Sequence, residues 1–111
     1  MNIVAGIQEK FTNEQFELSR HALDRTILRM ISVQEIREAI QQAELLEDYP
    51  DDKYGPSCLL LGFTQGGRAL HLQCSYPSRP LVKIITVYEP DAAEWIDFRV
   101  RKSDYDKHPL E

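Results

Sequence analysis

Residues 57–88 read SCLLLGFTQGGRALHLQCSYPSRPLVKIITVY, and the punctuation of that stretch decides the fold. Three runs rich in β-branched and aliphatic side chains, 57–64, 68–75 and 81–88, are separated by Gln65-Gly66-Gly67 and by Tyr76-Pro77-Ser78-Arg79-Pro80. Gly- and Pro-containing breaks of this length between strand-period runs predict an antiparallel meander. A three-residue first turn sets Thr64 opposite Arg68 and Cys58 opposite Cys74. If Tyr76 opposes Leu81 in the second hairpin, His71 meets Thr86, Gln73 meets Ile84 and Ala69 meets Tyr88. Side chains alternate with period two, so Leu70, Leu72 and Cys74 share one face, and His71, Gln73, Thr86 and Tyr88 share the other.

The residues before this meander supply what covers its apolar face. Ile3, Val4, Ile7 and Phe11 recur at helical spacing, and Thr12-Asn13 ends that helix. Phe16-Glu17-Leu18 reads as a short edge strand, and Ser19 is a good N-cap for a helix over residues 20–30 with Leu23, Ile27 and Met30 as its core stripe. Ser32-Val33-Gln34-Glu35 is a capping box that starts another helix, whose apolar face is Val33, Ile36, Ala39, Ile40 and Ala43 and whose end falls near Leu45. Glu44, Glu47, Asp48, Asp51 and Asp52 then read as a solvated acidic run rather than a metal site. After the meander, Pro90 blocks strand continuation, residues 91–95 suggest a short helix that brings Trp95 and Phe98 to the sheet, and Arg99-Val100-Arg101-Lys102 reads as a solvated basic tail. Helices first and hairpins second predict an α+β fold: two to three N-terminal helices on one face of an antiparallel sheet of three to four strands, the other face open or half open.

A chain of 111 residues with 42% hydrophobic content supports one compact domain, expected over residues 1–109. Leu110-Glu111 look like the junction that commonly precedes a purification tag. The longest apolar run, residues 58–63, is far below the roughly 20 residues that span a bilayer, and the N-terminus lacks a basic start followed by an apolar run, so a cytoplasmic protein is expected. Cys58 and Cys74 have no zinc-ligand spacing and are expected as buried free thiols, with no metal or other cofactor.

A formal net charge of -5 argues against broad nonspecific binding to nucleic acid. Yet residues 53–88 contain no Asp or Glu, while they hold Lys53, Arg68, His71, Arg79 and Lys83. That segregation allows one electropositive surface for an anionic ligand; a buried sheet also excludes carboxylates for packing reasons alone. On the open face, His71 is a candidate general acid or base, Tyr88 a donor or stacking platform and Thr86 a weaker candidate. On the helix over residues 20–30, His21, Arg25 and Arg29 are spaced four apart and line one face, a credible phosphate grip because guanidinium forks bind phosphate bidentately.

Leu18-Ser19-Arg20-His21-Ala22 followed by Arg25, Glu47-Asp48-Tyr49-Pro50, Leu59-Leu60-Leu61-Gly62, Ala69-Leu70-His71, and Ile85-Thr86-Val87-Tyr88-Glu89-Pro90 with Trp95 together resemble an uncharacterised family, domain of unknown function 4258. The resemblance covers residues 16–101. In element order that family is similar to the RelE/ParE-type toxin superfamily of bacteria, small α+β proteins of which many cut RNA without metal. The resemblance implies a toxin of a toxin–antitoxin pair, an endoribonuclease with RNA as substrate and a small zinc-finger or helix-turn-helix antitoxin as partner. Placed by location, His71 would be acid or base, Arg68 and Lys83 would steady phosphate and Tyr88 would stack on or donate to the substrate, with His21 and Arg25 supporting the site. The alternative is a non-catalytic module that binds a protein partner.

Overall fold

The computed structural model describes residues 2–103. Helix α1 (Ile3–Thr12) is capped by the Asn2 side chain, which accepts from the Ala5 N–H. Strand β1 (Phe16–Leu18) leads into α2 (Arg20–Arg29), capped by Ser19, and α3 (Val33–Gln41) opens with the Ser32–Glu35 capping box. Then come β2 (Glu44–Tyr49), β3 (Ser57–Phe63), β4 (Ala69–Ser75), β5 (Val82–Tyr88) and a small hairpin of β6 (Trp95–Ile96) and β7 (Val100–Arg101).

The main sheet has five strands in the order β1-β5-β4-β3-β2. The meander is present in the expected sequence, and Cys58 pairs with Cys74 as the three-residue turn requires. The sheet is nevertheless larger than three to four strands, and it is mixed rather than antiparallel. Strand β1 runs parallel to β5, Phe16 beside Val82. The acidic segment expected as helix end and loop is β2, antiparallel to β3. Local composition disfavours a strand there, but the segment closes the free edge of the apolar β3, which outweighs propensity.

Helices α1 and α3 cover one face. Ile7, Phe11, Ile36, Ala39 and Ile40 are buried in one cluster with Leu60, Leu70, Leu72, Val82, Ile84 and Val87. Helix α3 lies so close to β3 that a Cβ on Gly62 would sit 2.0 Å from the Ala39 carbonyl oxygen. Cys58 and Cys74 are buried and free, and burial pushes the Cys58 thiol up to about 12. Because the thiolate is the reactive form, neither thiol should react with Ellman's reagent in native protein at about pH 8, and both should react once denatured. Rapid native labelling would contradict this packing.

The stripe Leu23, Ile27 and Met30 expected in the core is exposed instead, at 51%, 70% and 84%; α2 buries Ala22 and Thr26. Helix α2 does not lie on the sheet with α1 and α3. It follows β1 along the β5 edge, and small side chains on its inner side let it approach that edge closely.

The face opposite α1 and α3 is only half open. Trp95 and the carbonyl of Phe98 lie against His71, and His71 and its cross-strand neighbour Leu61 are fully buried. The covering hairpin is pinned by Arg99 to Glu44 (2.8 Å) and Arg101 to Glu47 (2.9 Å), with the Arg101 guanidinium 4.7 Å from the Trp95 ring centre. The expected solvated tail and solvated acidic run thus neutralise each other. Residues 91–95 form turns leading into β6, not a short helix. The tag junction expected at Leu110-Glu111 lies outside the described residues.

Candidate functional site: the seam between α2 and β5

Strand β1 ends at Leu18, so the rest of the β5 edge has no strand beside it. Helix α2 satisfies that edge with polar groups. The Ser19 N–H donates to the Ile84 carbonyl (3.0 Å), the Ser19 hydroxyl to the Ile85 carbonyl (2.9 Å), and Arg29 Nη1 to the Val87 carbonyl (2.8 Å). Between these anchors, His21 Nε2 lies 3.2 Å from Thr86 Oγ1, and the His21 ring is exposed. Arg25 follows one turn later, half-buried, and enters no ion pair among the described residues.

The register of β4 with β5 differs from the expected one. His71 pairs with Tyr88 and Gln73 with Thr86, while Cys74 pairs with Ile84: the turn is one residue longer than expected and a bulge at Ile85 adds one more, so the upper half of the hairpin is shifted by two residues. A bulge is a tertiary accommodation that turn length does not specify. A shift of two preserves parity, so His71, Gln73, Thr86 and Tyr88 still share a face.

The two groups read separately from the sequence, one on the helix and one on the sheet, therefore meet in a single row. His21 touches Thr86; the Arg29 guanidinium lies 6.0 Å from the Tyr88 ring centre; the Tyr88 hydroxyl lies 3.2 Å from His71 Nδ1. His71 Nε2 is 2.6 Å from the Phe98 carbonyl oxygen. A carbonyl only accepts, so Nε2 carries the proton; burial disfavours a second proton on the ring, so Nδ1 accepts from the Tyr88 hydroxyl. His71 is thus held neutral, fully buried, with both nitrogens engaged. It joins the sheet to its cover and has no route to a substrate in this arrangement.

Burial depresses the His71 pKa, partly opposed by the Phe98 carbonyl and the Glu47 carboxylate. In the unfolded chain the ring takes its proton near 6.5. Just below that pH the unfolded state holds more protons than the folded one, so stability falls as pH drops, by at most about 1.4 kcal/mol per unit. Glu14, Glu35 and Glu47 are held below 4.5, by the Arg37 pair, by the Ser32 N–H, and by Arg101 and Tyr49 outweighing burial respectively, so their contributions are lost only at lower pH. The melting temperature of the wild type should therefore fall between about pH 7.5 and about pH 5.5, and His71→Gln should lose that slope. An unchanged slope in His71→Gln would contradict the buried neutral ring.

Arg68 is committed elsewhere too. Its guanidinium donates to the carbonyls of Met30 (2.9 Å) and Arg29 (2.8 Å) and pairs with Glu35 (3.2 Å) and Glu89 (2.6 Å). It caps α2 and ties that cap to α3 and to the end of β5, rather than facing a phosphate. Lys83 lies on the uncovered lower half of the outer face, its Nζ 3.9 Å from Glu17 in a half-exposed pair. The acid-free stretch is therefore not one basic surface. Arg68 is neutralised across elements, and the available cations flank the seam.

Sequence reasoning did not find the Arg99–Glu44 and Arg101–Glu47 clamp. Its only trace was a basic segment and an acidic one, each read alone as solvated. Among the described residues no group of three or more His, Cys, Asp or Glu side chains is placed to hold a metal ion, and no helix is long and apolar enough to cross a membrane. No curated protein and no solved structure matches the chain. The sequence model of one family, described as Domain of unknown function (DUF4258), matches residues 18–89, a span that holds α2, α3, β2 through β5 and the whole seam. The chain belongs to that family.

Proposed function

We propose that the chain is the toxin of a bacterial toxin–antitoxin pair and an endoribonuclease that works without metal, with its site at the α2–β5 seam. The observation that carries this reading is the exposed His21 imidazole against Thr86, flanked on its own helix by Arg25 and Arg29. Cleavage without metal needs a group that moves a proton and cations that take up phosphate charge. His21 takes the proton of a ribose 2′-hydroxyl, Thr86 orients its ring, and Arg25 receives the phosphate. The 2′-oxygen attacks phosphorus, the bond to the 5′-oxygen breaks, and that oxygen takes the proton back from His21. Proton transfer falls to His21 rather than His71 because His71 is buried and fully bonded. Tyr88 and Arg68 hold the frame. The similarity of element order to RelE/ParE-type toxins supports the reading by analogy of fold. In this reading the protein acts in the cytoplasm, where RNA is the substrate and the thiols stay reduced.

The test is single-stranded RNA incubated with purified protein and excess chelator. Products with a cyclic phosphate and a free 5′-hydroxyl are expected, with growth arrest on induced expression. Intact RNA and unaffected growth would leave the second reading, a non-catalytic interaction module. That reading is favoured by the exposed apolar side chains of α2 and its C-terminal side, Leu23, Ile27, Leu28, Met30 and Val33, which would receive a protein partner. A small zinc-finger or helix-turn-helix antitoxin would be the partner under the first reading.

A further inference from the structure

Below the covering hairpin, the outer sheet face borders a cavity of about 310 Å³, lined by Tyr54, Gln73, Ser75, Arg79 and Lys83 among others. Its volume is at the lower end for small-molecule sites, the scale of one nucleotide unit. Gln73 of its wall is the cross-strand neighbour of Thr86 in the seam.

The polar groups of its wall are fixed by a chain of hydrogen bonds. The Ser57 hydroxyl, fully buried, lies 3.2 Å from Asp52 Oδ2 and 3.2 Å from the Gln73 amide. A carboxylate only accepts, so Ser57 gives its one proton to Asp52 and must accept from Gln73. That fixes the amide orientation: the Gln73 NH2 faces Ser57, and its carbonyl oxygen is left to accept from a ligand. Asp52 also accepts from the Tyr54 N–H (3.2 Å), which sets the loop that carries the Tyr54 ring, 81% exposed. The Ser75 hydroxyl accepts from the Lys83 N–H (2.8 Å) and keeps its own proton to donate. Arg79 enters no ion pair among the described residues, and the half-exposed Lys83–Glu17 pair is too weak to hold Lys83 from an anion.

Two cations, a hydroxyl donor, a fixed acceptor and an exposed aromatic ring, with the Lys53 ammonium 4.9 Å from its centre, share one concavity with the Asp52 carboxylate and are complementary to a phosphate joined to a base. We propose that this cavity is a nucleotide subsite: Arg79 and Lys83 hold the phosphate, Tyr54 stacks on the base, and the Gln73 carbonyl takes an N–H of the base edge. The proposal rests on the nuclease reading for its substrate, one nucleotide of single-stranded RNA next to the bond that His21 addresses. A free nucleotide offers the same chemistry.

The test is binding of a 2′-O-methyl oligoribonucleotide, which cannot be cut, followed by fluorescence anisotropy over a range of salt. Tyr54→Ala is expected to weaken binding about 5- to 150-fold, the range for losing one stacked base. Arg79→Ala and Lys83→Ala should each weaken it and flatten the log–log salt dependence by about 0.7. These side chains are at the surface, so the variants should melt with the wild type. A nucleoside monophosphate that displaces the oligonucleotide with the same sensitivity to the three substitutions would identify the free nucleotide as a second occupant. Wild-type protein that binds neither, or variants that bind as tightly as wild type, would overturn the subsite. RNA cleavage with binding unaffected by the substitutions would remove the subsite and keep the nuclease; binding through these residues without cleavage would do the reverse.

Discussion

Gly62→Ala is expected to destabilise the protein by about 3 kcal/mol or more. The missing Cβ would stand 2.0 Å from the carbonyl oxygen of Ala39, 2.5 Å from its carbonyl carbon and 2.8 Å from its Cα. All three are backbone atoms of α3, so no side chain can rotate away. The helix would have to lift from β3, and Ile36, Ala39 and Ile40, all fully buried, would lose their packing against Leu60, Leu70 and Leu72. For a chain of this size that loss corresponds to a fall in melting temperature of more than about 10 °C. Gly66→Ala is the control, since a Cβ there would meet nothing closer than 3.8 Å. Equal melting temperatures for Gly62→Ala and wild type would contradict the close packing of α3 on the sheet.

What was legible in the sequence was what local chemistry encodes. The Ser32–Glu35 box, the Ser19 cap and the Gln65-Gly66-Gly67 turn each satisfy backbone groups within a few residues, and each stands where it was expected. The pairing of Cys58 with Cys74 follows from that turn alone. What was not legible depends on partners distant in sequence. The three residues of β1 bind β5 in parallel only because α2 then continues along the same edge, and the acidic β2 is held by β3 and by arginines more than fifty positions away. The apolar stripe Leu23, Ile27 and Met30 misled because periodicity reports amphipathicity, not which face the fold uses. Among the candidate residues, composition found the right chemistry but not its accessibility. His71 and Arg68 are absorbed by Trp95, Tyr88, Glu35 and Glu89, whereas His21, first read as a supporting residue, is exposed beside Thr86.

His21→Ala is expected to lower the rate of RNA cleavage by roughly 10²–10⁴-fold, the usual scale for removing a general acid or base. The ring makes one hydrogen bond, to Thr86, and is otherwise exposed, so its loss should leave the fold intact. Arg25→Ala should instead weaken RNA binding and lower the slope of its salt dependence, as for any residue that neutralises one phosphate. The measurement that tests the account most directly is the initial rate of RNA cleavage in excess chelator for wild type and His21→Ala at equal folded concentration. The account predicts cleavage by wild type and a loss of at least about 100-fold in the variant. Wild-type protein that leaves RNA intact, or a His21→Ala variant that cuts at the wild-type rate, would contradict it.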